Sequence, residues 1–225
     1  MFTATLIRWS GLLALLGGVL FPVAAVIHPN GEDLAAVNMP SWVPAHLLGL
    51  VSVTLMHLGL LGLYARQVDK AGWLGLIGFV LAFVGGAFAS TIQYVTSTAI
   101  PLIATQAPAL FDQAMTPPPF APPLFVLGFV LGHILFGFAT MRAGVLPRWS
   151  GLLVSIGMVL FFLGEIAFLA QRLAAPALQQ VFDLIQRLHV IVLLGDAAFG
   201  FGMAWMGYSL WSEKREPAFT AKAAG

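Results

Sequence analysis

Six stretches of about 20 mostly apolar residues decide what this chain can become. They lie at 6–27, 45–64, 73–93, 122–141, 149–170 and 189–210. Each is long enough to cross roughly 30 Å of hydrocarbon as a helix, with every backbone polar group bonded inside its own segment. The rest of the chain has little with which to face water: 8% of its residues are charged and 60% are apolar, where a soluble domain carries about 25% charged. The expected fold is all-α, an integral membrane bundle of six helices.

The first stretch, with Arg8 ahead of an apolar run, has the outline of a secretory leader. It also has a second copy. Residues 8–21 read RWSGLLALLGGVLF and residues 148–161 read RWSGLLVSIGMVLF, identical at ten of fourteen positions at an offset of 140. A cleavable leader has no reason to resemble an internal span, so the first helix is expected to be retained. The second possible unit shares a basic residue followed by Trp73-Leu74-Gly75-Leu76. The pattern suggests three helical hairpins, at about 6–64, 70–141 and 148–211, in one transmembrane domain. Residues 212–225 read as a short disordered tail.

Basic residues gather on the cytoplasmic side of membrane proteins. Arg8, Arg66, Lys70, Arg142, Arg148, Lys214, Arg215 and Lys222 fall on one side, and Arg172 and Arg187 on the other. Both termini are therefore expected in the cytoplasm of a multi-pass cell-membrane protein. Trp9, Trp73 and Trp149 would lie at the cytoplasmic interface, where indole rings prefer to sit. On the outer side, 28–43 is a short connection. The proline-rich 96–121 connection is expected not to be one continuous helix. Leu178, Val181, Phe182, Ile185 and Leu188 recur at helical spacing, as in an amphipathic segment lying on the outer leaflet or capping the bundle.

Several classes of function drop out. Ten Lys and Arg against nine Asp and Glu leave no basic footprint for nucleic acid. Zero cysteines remove disulfides, thiolate metal sites and a thiol nucleophile. No phosphate-binding Gly-Lys-[Ser/Thr] loop points to a nucleotide, and no His-Glu-x-x-His or Gly-x-Ser-x-Gly points to a hydrolase. Nothing marks the chain as an enzyme, and its glycines read first as close helix packing.

An ionisable group in hydrocarbon costs roughly 2.5–3.5 kcal/mol on insertion scales, so each needs a reason. At 1.5 Å per residue, His46 and His189 fall near the outer ends of their helices, and His57 and His133 near the midplane. Two histidine layers of this kind would suit b-type haem, with quinone as an electron partner. Glu165 and Asp196 come out about 8–11 Å below the outer surface. With Gln93, Tyr94, His28 and His46 at nearby depths, they outline a polar pocket that binds a ligand or relays protons. The competing structural account is that the histidines satisfy neighbouring carbonyls and that neutral carboxyls tie helices together.

Three readings follow. The first is a non-catalytic membrane subunit or small-ligand-binding protein, with the pocket around Glu165, Asp196 and His189 in the outer half of the bilayer as its site. The second is a b-type cytochrome that moves electrons from quinol. The third is a proton- or cation-coupled transporter that uses Glu165 and Asp196. Beyond the lipid bilayer, other membrane subunits or a second copy of the chain are the expected partners.

Overall fold

The computed structural model describes residues 2–172 and 189–213. Every regular element among them is helical. Helix α1 spans Phe2–Ile27, α2 is a single turn at Leu34–Val37, and α3 runs through Trp42–Gln106. A 3-10 turn at Pro108–Leu110 leads into α4 (Phe111–Met115) and α5 (Ala121–Phe125). A π-helical segment, Val126–Leu131, continues directly into α6 (Gly132–Ala143). Helices α7 (Arg148–Arg172) and α8 (His189–Ser212) complete the fold.

Among the described residues, four helices are long and apolar enough to cross a membrane: Ala4–Ile27, Trp42–Gln106, Ala121–Ala143 and Val190–Ser212. Arg148–Leu163 is a shorter apolar helix. The chain thus has the make-up of a multi-pass membrane protein.

Helix α3 is 65 residues long but not straight. Gly72 adopts φ 59° and ψ −165°, and this residue turns the helix back on itself. A side chain would resist that left-handed conformation, which glycine takes without cost. Tyr64 stacks on Phe79 with ring centroids 4.4 Å apart, and Gln93 folds over Gly49, so the arms 42–71 and 73–106 run antiparallel. Helix α6 ends in the same way at Gly144, with φ 62°.

The helices pack in a closed order. Helix α1 lies against α3, α3 against the π segment and α6, α6 against α7, α7 against α8, and α8 against α1. Small residues make these crossings close. Gly18 faces Gly200 and Ala204, Gly78 faces Phe136, and Gly137 faces Gly151 and Ser155. At one end of the bundle Arg8 donates from Nε to the Trp211 carbonyl at 2.9 Å and lies over the indole ring of that residue. Arg66 reaches both carboxylate oxygens of Glu213 at 3.0 Å. Inside, Val53, Met56, Leu60, Leu63, Phe129, Phe136, Phe199, Met203 and Met206 form one buried cluster.

Two expected boundaries change. The first arm of α3 does not stop at 64 but runs through the charged 66–70 stretch to Gly72. Lys and Arg are good helix formers, and their heads project from an exposed helical turn as well as from a loop. The second arm continues past 96 to Gln106 with Pro101 inside it, so the proline-rich connection starts at Ala107. The hydroxyls of Ser97 and Thr98 bond the Tyr94 carbonyl, and that of Thr105 bonds the Pro101 carbonyl. The expected amphipathic segment at 178–188 and the tail from 214 lie outside the described residues.

Candidate functional site

The densest gathering of polar chemistry lies where α1 ends and α3 begins, at the end of the bundle that carries the 28–41 connection. Trp42 is wholly buried, and its indole N–H donates to the Thr96 carbonyl at 2.8 Å, joining the two arms of α3. One turn on, buried His46 places Nδ1 2.9 Å from the Trp42 carbonyl, with the two ring centroids 4.3 Å apart. A carbonyl only accepts, so His46 Nδ1 holds the hydrogen and Nε2 presents a lone pair in the neutral ring.

His28 comes in from the C-terminal end of α1. Its ring meets that of His46 edge-on with centroids 4.8 Å apart. Its Nδ1 lies 2.8 Å from the Pro29 carbonyl, and its Nε2 lies 3.5 Å from Glu32 Oε1. Below His46, the half-buried Gln93 amide fills the space beside Gly49. Asp33 caps α2 by accepting from the Ala36 amide at 2.8 Å. Buried Ala36, Val37, Ile100, Ala104 and Phe111 pack with Trp42 around this end.

The structure therefore brings together His28, His46 and Gln93, with Glu32 beside them. Tyr94 is turned away, its residue 58% exposed on the outer face of α3. Asp196 is buried on α8. Glu165 lies on α7 and His189 opens α8, but the side chains of both fall outside the described residues.

The two deeper histidines lie near one another but bond different backbone carbonyls. His57 donates from Nε2 to the Phe83 carbonyl, and its ring takes the space that a Cβ on residue 86 would need. His133 donates from Nδ1 to the Phe129 carbonyl at 2.6 Å, with its ring edge-on to Phe129 and Phe199. An iron ligand must offer a lone pair toward an open plate-shaped space. Around His57 there is no such space, since its Nε2 hydrogen is committed to the Phe83 carbonyl and Gly86 sits against the ring. This arrangement does not fit a haem held between His57 and His133. Haem bound by these two residues is accordingly not expected, and a reducible Soret band lost in both His57→Ala and His133→Ala would contradict the geometry.

Sequence reasoning overlooked two residues here. Trp42 precedes His46 by one helical turn, and that spacing was the available signal. Gln67 is fully buried and donates to Thr140 Oγ1 at 2.9 Å, while its Oε1 has no partner among the described residues. It lies beyond the expected end of its span at 64, which hid it. Among the described residues, no three His, Asp or Glu side chains are arranged to hold a metal ion.

The chain matches no protein-family model, no curated protein and no solved structure.

Proposed function

We propose that the chain is a six-span protein of the cell membrane, built from three helical hairpins with both termini cytoplasmic. It binds a small ligand in the outer half of the bilayer and catalyses no reaction. The observation that carries this reading is the convergence of His28, Glu32, His46 and Gln93 at one end of the bundle. His46 and Gln93 lie within a candidate span, where a polar group is retained for function by default because it opposes insertion.

Three sets of equivalent contacts support the hairpins. Gly59 crosses Ala14, Gly132 crosses Ala82, and Gly202 crosses Val154. Gly17 meets Ser52 and Met56, Gly85 meets Gly128 and Phe129, and Gly157 meets Gly195 and Phe199. The aligned glycines Gly11 and Gly151 each meet a glycine of the preceding hairpin, Gly207 and Gly137. On this reading the second helix of every hairpin packs on the first helix of the next, and α8 on α1 completes the cycle. The middle unit, whose sequence resemblance is faint, repeats the crossing of the other two.

Single cysteines test the reading against no background, since the chain has none of its own. A membrane-impermeant maleimide added to intact cells is expected to label cysteine placed at Asn30 and at Gln93. Cysteine at Asp69 should label only after permeabilisation. Labelling of position 69 from outside would reverse the orientation. Protection of position 93 from both sides would remove the pocket.

Proton- or cation-coupled transport is a second reading, favoured by two ionisable residues, His133 and Asp196, buried inside the bundle. It requires Asp196→Asn to abolish pH-dependent uptake in proteoliposomes; flux unchanged by that substitution would exclude Asp196 as the relay.

A further inference from the structure

We propose that the core of the bundle holds a water molecule between Gln67 and Thr140, at the end of the first arm of α3 opposite His46. The crossings of the helices fix the place. Gly59, Gly132 and Gly202 make corresponding contacts in the three hairpins, and the eighth residues after them are Gln67, Thr140 and Leu210. These are exposed by only 1%, 0% and 2%. One turn earlier stand Leu63, Phe136 and Met206, all fully buried and apolar. The three apolar residues and Leu210 belong to one core cluster, and a hydrogen bond joins Gln67 to Thr140. The second helices of the hairpins thus share an inward face, and two of them end it on a polar group.

The hydrogen bonds of this layer leave acceptors over. Gln67 donates from Nε2 to Thr140 Oγ1 at 2.9 Å, and Thr140 donates in turn to the Phe136 carbonyl at 3.0 Å. The one hydroxyl hydrogen is spent on that carbonyl, so Oγ1 can only accept from Gln67. This sets the amide with its nitrogen toward Thr140, since turning it over would bring two acceptors face to face. Gln67 Oε1 is left enclosed, with no hydrogen-bond partner among the described residues. An amide oxygen carries two lone pairs, and Oγ1 has a second of its own to offer. What the layer lacks is a donor.

Size, charge and access select water among donors. Burial this complete suits a molecule with a single heavy atom. The neighbouring charged residues Arg66, Asp69 and Lys70 are exposed, and Arg66 pairs with Glu213. An ion would therefore find no counter-charge inside, and a neutral donor is what fits. Asp69 and Lys70 lie within one helical turn of Gln67, about 5 Å along the axis, so bulk solvent is close. Water brings two O–H groups, one for Gln67 Oε1 and one for a second acceptor such as Thr140 Oγ1, and buried water in proteins bonds two to four polar groups. The layer of Leu63, Phe136 and Met206 stays dry and separates this water from His133. None of this depends on the ligand site at the start of α3.

The test uses the full wild-type chain, labelled with nitrogen-15, in nanodiscs of deuterated lipid. Solid-state NMR passes polarisation from water protons to the glutamine side chains and the backbone amides. Gln67→Met identifies the Gln67 signal by its disappearance. Thr140→Val, which removes the acceptor of Nε2 and so shifts that signal, identifies it if the first variant does not fold. Half-buried Gln93 is the reference that solvent reaches. The Gln67 side-chain amide should gain polarisation at mixing times that already reach Gln93, while the backbone amides of Leu63, Phe136 and Met206 gain none. A Gln67 signal as weak as those three would overturn the proposal. So would a signal present in protonated lipid and lost in deuterated lipid, which would place a lipid group at Gln67 instead of water.

Discussion

Adding one methyl group at Gly85 is expected to destabilise the protein by about 3 kcal/mol or more, at the upper end of what overpacking costs. A Cβ on that residue would sit inside contact distance of the Phe129 amide nitrogen and the Gly128 carbonyl carbon, and 2.6 Å from the Gly128 Cα. All three are backbone atoms, so no side-chain rotation relieves the clash. Only separating α3 from the π segment does so, and that opens the core at Phe129 and Val130. Gly31→Ala is the fitting control. Nothing lies within 4 Å of its Cβ, but its φ of 95° still imposes local strain, at about 1–2 kcal/mol. Thermal unfolding of both variants in nanodiscs decides the matter. If Gly85→Ala melts no lower than Gly31→Ala, these two segments do not touch as described.

Trp42→Ala carries the second large effect. Removing a fully buried large aromatic typically costs about 3–5 kcal/mol, and Trp42 is completely enclosed among Ile100, Ala104 and Phe111. Trp42→Phe divides that loss into parts. It keeps most of the apolar ring and gives up the bond to the Thr96 carbonyl, a change worth about 1 kcal/mol. Equal destabilisation by the two variants would mean that the indole hydrogen bond, and not the packing, joins the arms of α3. Cysteine at position 93 should also label faster in Trp42→Ala, because the shelter over the cluster at the start of α3 has gone.

Much of the helical layout is legible in the sequence. Apolar runs of membrane length mark helices because hydrocarbon leaves the backbone few alternatives, and Trp9, Trp73 and Trp149 are all exposed on the helices they open. The breaks were harder to read. Charged residues at 66–70 looked like a loop, yet a single glycine at 72 makes the turn. The connection was expected to begin at 96, yet the helix continues through Pro101 to Gln106. The π segment before His133 left no signal of its own, since Gly128 and Gly132 suit an ordinary helix crossing equally well. Depth along a helix follows from counting, and so His28, His46 and Gln93 could be placed at one level. Direction around a helix depends on its neighbours. That is why Tyr94 proved to face outward, and why His57 turned to Gly86 and the Phe83 carbonyl.

The crossing of α8 on α1 has a consequence for how the protein is made. Gly18 rests on Gly200, Gly11 on Gly207, and Arg8 on the Trp211 carbonyl. Of all the helices that pack together here, these two are farthest apart in the order of synthesis. Until α8 leaves the ribosome and reaches the bilayer, α1 must wait with a furrow of bare backbone turned toward lipid. A nascent chain halted before α8 is an open arc whose two edges are both unsatisfied. Such a chain is a natural substrate for membrane quality control, and the arrival of one helix removes both edges together.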